Sequence, residues 1–494
     1  MIYIILDAKH NVFVHRTRNN ENGIKNACIE QKNDTSYIGK NKHLKKGCVI
    51  MSNINANTIG QLFQDIISKF SDMSPTNIDT LENEVLDAIY KLGSLMMEWK
   101  LSDWNDDLKK DNCQKCNTKL QSRKRSRQLA TMVSDVSFTR YMSYCPNCKK
   151  TEYTLDEILG LRPRQRMSSQ LEELSALCGA SWSYEQSESV LKKVLHRYCV
   201  SHNTIHELTN AVGEEVSKEA DGSKVKELES DKIAQGNYFE NIQLNEKPQV
   251  RIYADMDGVM INSRDNAKRM EGKVAMVWSE RELVNADTYA ITDKRYMGSF
   301  VDMESLNWEI VLELYKRSRG NLDGIECLVR GDGAPWIRGF REDHMPKSRY
   351  ILDYYHLCEK VKDRVSLVYE DKKNREKARR EIMKYLDSGD VDGALSYIQE
   401  LRKRFRKESK IYSLDRLSGY IERNRTGIWY SEAKAKGISI GSGTADKAGD
   451  ILICRRMKLR GMRWSRKGAD SVLNIRILVV NGEWDQFWVK HQVA

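Results

Sequence analysis

The chain has 494 residues and a formal net charge of +11, from 81 Lys+Arg against 70 Asp+Glu, with 40% hydrophobic and 31% charged residues. That length predicts two to four domains with ample sequence for buried cores, and the balance excludes collagen-like, low-complexity and wholly disordered chains. Apolar stretches such as Ile2 to Leu6 and Ile475 to Val480 fall far short of the roughly 20 residues of a membrane helix. No secretory signal pattern is evident, and eleven cysteines are too sparse for a disulfide scaffold, so a cytoplasmic protein with free thiols, and a bound metal, is expected.

Residues 1–50 are polar and aperiodic and read as a poorly defined extension. From Thr58 the apolar positions fall at helical spacing, and Leu81, Val85, Ile89, Leu92 and Met96 form one stripe, so 51–105 is read as a helical hairpin. Residues 106–155 carry two Cys pairs, and 156–220 read as helical, with 183–212 resembling a helix-turn-helix broken around Cys199 to His202 and capped by Ser201. A charged linker is expected over 221–248. The character then changes to α/β: strands at Val250 to Ala254, Lys273 to Trp278 and Thr288 to Val301, a helix at Glu304 to Arg317, a strand at Ile325 to Val329, a short helix after Ala334 and a strand at Tyr350 to Asp353. This makes 249–356 the first part of a mixed α/β core. A charged helical insertion follows over 357–436, and 437–494 complete the core.

Three signals carry chemistry. Cys113-x-x-Cys116 and Cys145-x-x-Cys148 are separated by 28 residues, and two such thiol pairs suit a closed tetrahedral zinc site of structural kind. Between them Arg123, Lys124, Arg125 and Arg127 form a basic cluster suited to DNA phosphates. The second signal is acidic. Asp255 and Asp257 end a β-run at alternate positions and so share a strand face, Asp332 follows the strand over 325–329, where open α/β sheets place ligands, and Asp446, with Asp450 one turn on, lies at a helix start. Three converging carboxylates of this kind hold two Mg²⁺ or Mn²⁺ ions that activate a water or 3′-hydroxyl and stabilise the leaving oxygen of a phosphodiester. The third signal is the run Arg455, Arg456, Lys458, Arg460, Arg463, Arg466 and Lys467 around Trp464, read as a phosphate-tracking groove with an aromatic platform; Arg402, Lys403, Arg404, Arg406 and Lys407 carry the same reading more weakly.

The stretches Asp257-Gly-Val-Met-Ile-Asn-Ser-Arg264, Gly331-Asp-Gly-Ala-Pro-Trp-Ile337, Ile351-Leu-Asp-Tyr-Tyr-His-Leu357, Tyr420-Ile-Glu-Arg-Asn-Arg425, Ile440-Gly-Ser-Gly443 and Arg455 to Ser465 together resemble the DDE transposases of bacterial insertion sequences, in the Mutator-related group that includes the ISKra and ISLre types. The resemblance covers residues 51–485. It implies a ribonuclease H-like catalytic core with a helical insertion, binding of transposon ends and target DNA, metal-dependent strand cleavage and transfer, a homodimer or higher assembly on DNA, and a place at the bacterial nucleoid. By resemblance Asp257 is the first catalytic acid with Asp255 as neighbour or substitute, Asp332 the second, and His356 of the Asp353-x-x-His356 pair a residue that positions the scissile strand. The third acid departs from the family pattern, since Asp446 stands where the family has Glu, a reach shorter by roughly 1.5 Å where an ångström matters. Whether Asp446 or Asp450 serves is left open, as are two rival readings: an inactive or domesticated DNA-binding relative, and a metal-dependent nuclease without strand joining.

Overall fold

The computed structural model describes residues 56–197, 200–228, 251–265, 268–279, 281–285, 288–318, 325–441 and 443–493. The expected extension over 1–50 and the part of the expected linker beyond 228 lie outside them. No helix among the described residues is long and apolar enough to cross a membrane.

The helical hairpin is α1 (Ala56–Ser71) and α2 (Ile78–Asp107). The Asn77 side chain caps α2, accepting from Thr80 N at 2.9 Å as an orphan first-turn donor requires. The three-stranded ribbon β1 (Gln121–Ala130), β2 (Asp135–Cys145) and β3 (Lys150–Glu152) follows, with β1 and β2 antiparallel from Gln121↔Tyr144 to Ala130↔Asp135. Because β3 covers only the last residues of β2, the rest of that edge is open, and α2 closes it: Glu98 accepts from Ser137 N and Asn105 from Tyr141 N, each at 2.8 Å. An unpaired strand edge is a liability, and two polar helix side chains remove it here.

Next come α3 (Thr154–Ile158), α4 (Ser169–Ser181), α5 (Tyr184–Val194) and α6 (His202–Leu228). Ser183 and Gln186 form a capping box on α5, and the Ser201 hydroxyl accepts from Thr204 N at 3.2 Å, as expected. Leu171, Cys178, Leu191, Leu195, Val200 and Ile205 bury the three longer helices against one another. The expected linker begins later than charge alone predicts, since α6 runs on to Leu228. Its inner face is apolar enough, at Val212 and Val216, to keep the helix docked.

The α/β layer holds β4 (Arg251–Asn262), β5 (Arg269–Trp278), β6 (Arg281–Asn285), β7 (Thr288–Ile291), β8 (Lys294–Ser299), α7 (Met303–Ser318), β9 (Glu326–Gly331), α8 (Pro335–His344) and β10 (Arg349–Leu352). Its mixed sheet has the order β10-β9-β4-β5-β8. β5 is antiparallel to both its neighbours, and β4, β9 and β10 are mutually parallel. The strand expected over 288–301 is two: β6 and β7 form a separate hairpin, and the chain breaks at Asp293, whose carboxylate accepts from Ser279 N at 3.0 Å and pairs with Arg317 at 2.6 Å.

The insertion is helical throughout, as expected, in α9 (Tyr354–Ser366), α10 (Lys372–Ser388), α11 (Val391–Lys403), α12 (Glu408–Arg423) and α13 (Tyr430–Ala435). The chain ends in α14 (Gly443–Gly449), a π-turn at Asp450–Cys454, α15 (Arg455–Met457), α16 (Arg466–Asn481) and α17 (Trp484–Val493). One continuous apolar core, from Ile252 and Val277 to Leu386, Leu417 and Leu473, joins sheet, insertion and C-terminal helices. The N-terminal helices dock on it closely. A Cβ on Gly213 of α6 would lie 2.2 Å from the Ser471 carbonyl of α16, so only glycine permits that crossing.

Candidate functional site

Two sites emerge from the residues upward. In the ribbon, Cys113 and Cys116 precede β1, and Cys145 ends β2 with Cys148 in the following turn. The four sulfurs are the one group among the described residues whose potential ligand atoms gather within 4.8 Å of one another, with Sγ–Sγ separations of 3.8, 3.5 and 3.4 Å. A tetrahedron with Zn–S bonds of about 2.3 Å has edges of about 3.8 Å, so the donor set fits a zinc ion. Cys148 N donates to Cys145 Sγ at 3.3 Å, and each pair is followed by a left-handed residue, Asn117 (φ 54°) and Lys149 (φ 53°), which turns the chain back over the sulfurs. Hydrogen bonds at Thr118 pull the Cys116 thiol down to about 5, while Cys148 is pushed up by the sulfurs of Cys116 and Cys113 that face it. Deprotonating these clustered thiols gathers like charge, which a bound divalent cation offsets.

The second site is acidic. Asp255, Asp257 and Val259 lie on one face of β4, and α14 runs along it. The Thr444 hydroxyl donates to Asp255, and a Cβ on Gly449 would stand 2.7 Å from Val259 Cγ2 and 3.8 Å from Asp257 Oδ2. Asp446 is thereby carried over the middle of the strand. Asp332 follows β9, its Oδ1 accepting from Ala334 N at 2.9 Å at the entry to α8. The turn is held from the insertion: the Tyr420 hydroxyl donates to the Asp332 carbonyl at 2.8 Å, and Gly333, at φ +89°, faces the Asn424 side chain where a Cβ would come within 2.8 Å. Asp353 caps α9, accepting from His356 N at 2.6 Å and contacting His356 Nδ1 at 3.0 Å.

Electrostatics tie these groups together. Burial, then the charges of Asp446 and Asp332, push the Asp257 carboxyl up to about 6 against the Gly258 N–H and His356. Asp446 is raised by burial with Asp353, Asp332 and Glu359 adding to it and His356 opposing. His356 is raised to about 9, first by its hydrogen bond to Asp353 and further by Asp446 and Asp332. Asp257, Asp332, Asp446 and His356 therefore lie near enough to feel one another's charge, although their ligand atoms do not gather within 4.8 Å as the four sulfurs do. Asp450 faces elsewhere, pairing with Arg455 at 2.9 Å on the surface, so Asp446 is the acid that joins the cluster.

Asp255 differs from Asp257 although they share a strand face. It is fully buried and accepts from Arg330 Nε and Nη2 at 2.6 Å each and from Trp278 Nε1 at 2.7 Å. Fully buried and held in this bidentate pair, Asp255 serves as the counter-ion of Arg330 and is closed to solvent. Arg330 also donates to the Ser439 carbonyl at 2.9 Å, so the pair fixes the segment leading into α14. The sequence reading gave no role to Arg330, Thr444 or Glu359, nor to Tyr420 and Asn424, although these two lie in a stretch that carries the resemblance. The signal for Arg330 was present, an arginine inside the apolar strand Cys327-Leu-Val-Arg330.

The basic residues divide. Arg123, Lys124 and Arg125 are exposed on β1, with Lys124 over the Tyr141 ring at 5.4 Å. Arg127 instead is buried and paired with Asp156 at 2.6 Å. Arg455, Lys458, Arg460 and Arg463 are exposed, but two of the expected DNA contacts are not on the surface. Trp464 is buried, donating from Nε1 to the Met457 carbonyl at 3.2 Å. Arg456 is 1% exposed and donates to the Gly179 carbonyl of α4 at 3.0 Å. The turn after α15 folds back on itself, so neighbours in sequence face opposite ways and the run does not form one charged face.

Related proteins are known. The chain is 23% identical over 463 residues to the UPF0236 protein TTE0402 of Caldanaerobacter subterraneus subsp. tengcongensis, covering 92% of this chain and 84% of that protein. It is 22% identical over 445 residues to a second protein of that organism, whose name joins eleven designations from TTE0033 to TTE2212, covering 89% and 85%. It is 22% identical over 367 residues to the UPF0236 protein in the vanSb 3′ region of Streptococcus gallolyticus, covering 74% of each. The profile of the uncharacterised protein family UPF0236 matches residues 73–492, and the chain belongs to that family.

Proposed function

We propose that this protein is a DDE-type DNA transposase that binds the ends of its own mobile element and cleaves and transfers their strands. One observation carries the reading: the parallel register Asp255↔Arg330 runs β4 alongside β9, so that Asp257 and Asp332 each follow by two residues, and α14, beyond a long insertion, packs on β4 with the charge of Asp446 felt at Asp257. The strand order β10-β9-β4-β5-β8 with β5 alone reversed supports a ribonuclease H-like core, whose acids fall at these places. The relative bearing eleven designations in one genome is what repeated copying of an element leaves behind.

Two Mg²⁺ or Mn²⁺ ions held by Asp257, Asp332 and Asp446 would supply an activated water or 3′-hydroxyl and stabilise the leaving oxygen. The three carboxylates offer the oxygen donors such ions take, though their oxygens stand farther apart than the four sulfurs, and burial, with the charges of Asp446 and Asp332 adding to it, pushes the Asp257 carboxyl up to about 6. The chain's own groups do the rest. His356, charged at neutral pH, holds a non-bridging phosphate oxygen. Asp255, through Arg330 and Thr444, keeps α14 in register with β4. The Cys₄ ribbon with zinc in place, the exposed Arg123, Lys124 and Arg125, and α5–α6 bind duplex. Since two ends must react together, the working form is a homodimer or larger assembly.

The test uses duplexes from the DNA flanking the gene, with Mn²⁺, comparing the intact protein with Asp332→Asn. Cleavage and joining by the former alone supports transposition. Cleavage without joining makes the protein a nuclease, and end binding without cleavage leaves a DNA-binding relative.

A further inference from the structure

A basic cleft lies away from the acids, where α5 and α6 meet the segment after α15. Its volume is about 370 Å³, and its walls include Tyr184, His206, Arg264, Arg456, Arg463 and Trp464. Arg456 is its distinctive member. The guanidinium lies between the rings of Tyr184 and Trp464, 4.9 and 4.8 Å from their centroids. Nε is used on Gly179 and Nη1 lies 3.6 Å from Met462 Sδ, but Nη2 is buried without an acceptor. No ion pair among the described residues gives it a carboxylate. A buried cation without a counter-charge is strongly unfavourable, and the nearby Arg476, whose donors all go to the carbonyls of Leu452, Ala180 and Ile451, adds positive charge. The Tyr184 hydroxyl is likewise buried with no partner. Of the carboxylates around this cleft, Glu188 is held by His202, accepting from its backbone N at 2.7 Å and contacting Nδ1 at 2.7 Å, and Asp265, beside Arg264, accepts from Arg466 N at 3.2 Å.

We infer that this cleft is a phosphate-binding site and that its occupant is a backbone phosphodiester of bound DNA, an inference that rests on the nucleic-acid reading above. An oxyanion would satisfy Arg456 Nη2 and the Tyr184 hydroxyl together, with Arg264 and Arg463 at the mouth to track the strand. The cleft is also wired to the acidic cluster. Trp464 N donates to the Asn262 carbonyl at 3.1 Å and Arg264 N to the Trp464 carbonyl at 2.8 Å, so its wall extends β4. Asn262 is five residues beyond Asp257, roughly 17 Å of strand and about five steps of duplex. A phosphate gripped here sets the register of the DNA relative to the carboxylates.

The test has two arms on the full-length protein. Inorganic phosphate should raise the thermal midpoint of the intact protein, and Arg456→Met should abolish the gain. Tyr184→Phe should lose no stability in phosphate-free buffer, because its hydroxyl has no partner, yet lose most of the phosphate-dependent gain. In the second arm, duplex binding followed over a salt titration should weaken about tenfold in Tyr184→Phe and in Arg264→Gln, with the slope of log K against log salt falling by about one in Arg264→Gln, which removes a cation, and staying unchanged in Tyr184→Phe, which removes a neutral hydroxyl. An unchanged phosphate response in Tyr184→Phe together with an unchanged salt slope in Arg264→Gln would overturn the site. A phosphate response that is lost in the variants while duplex affinity stays intact would overturn the assignment to DNA and leave a free anion as ligand. Failure of the catalytic reading shows separately, in the Asp332→Asn cleavage comparison.

Discussion

Asp255 and Asp257 stand two residues apart on one strand face, and the structure predicts substitutions of opposite sign. Asp255→Asn removes the counter-charge of a fully buried Arg330. Breaking one side of a buried pair in this way costs about 3–5 kcal/mol. Asp257→Asn removes a carboxylate that burial and two neighbouring acids push from 3.8 up to about 6, and holding that group ionised at neutral pH costs the fold roughly 2–3 kcal/mol. The Gly258 N–H, which reaches Asp257 Oδ1 at 2.8 Å, keeps its acceptor in the amide. Asp257→Asn should therefore stabilise the metal-free protein by up to about 3 kcal/mol while abolishing strand cleavage. The pH dependence follows from the sign of the shift. A carboxyl raised in the folded state is most favourable when protonated, so the advantage of the variant is absent below pH 3.8, grows as pH rises, and is complete above about 6. Denaturant unfolding in EDTA, at pH 4 and pH 7.5, measures it. If Asp257→Asn destabilises at pH 7.5 as much as Asp255→Asn does, the acidic cluster is a structural network and the catalytic argument fails with it.

Three further outcomes follow from the same geometry. Cys113→Ser should lose about one zinc per chain by metal analysis and lower the unfolding midpoint of the ribbon; unchanged metal content would remove the zinc site. Gly449→Ala places a methyl 2.7 Å from Val259 Cγ2, a stiff buried side chain, so it should cost about 1–3 kcal/mol and suppress cleavage well beyond its effect on DNA binding, because α14 must lift Asp446 away from β4. In metal-free buffer the His356 contribution, from a group raised from 6.5 to about 9, should be fully present below pH 6.5 and fall away as pH rises through 9. That decline, on the order of 2–3 kcal/mol, should be missing in His356→Asn, and an identical pH profile for the two proteins would refute the pairing with Asp353.

How far the sequence reaches depends on the distance over which its signals act. Helices with their own caps, such as α5 with its Ser183 box or the Ser201-capped α6, are legible because the residues that start them are local. So are the thiol pairs and the acids that end apolar runs. The β6–β7 hairpin was missed because the break at Asp293 is made by Ser279 and Arg317, partners on either side of it by 14 and 24 residues. The burial of Arg456 and Trp464 within the basic run after Arg455 was not legible for the same reason: it is set by Gly179 and Tyr184, far upstream, on helices that pack against the core. The roles of Asp255 and Asp257 make the point most sharply. Period-two alternation puts both on one face and cannot separate them. What separates them is the register of a parallel pair, Asp255↔Arg330, formed by residues 75 apart in the chain, which gives one carboxylate a permanent cation and leaves the other, a pleat away, with only other acids and a histidine. The lack of a paired arginine beside Asp257 is thus a product of sheet register, and it is that lack, more than the presence of an aspartate, on which the chemistry proposed for the position rests.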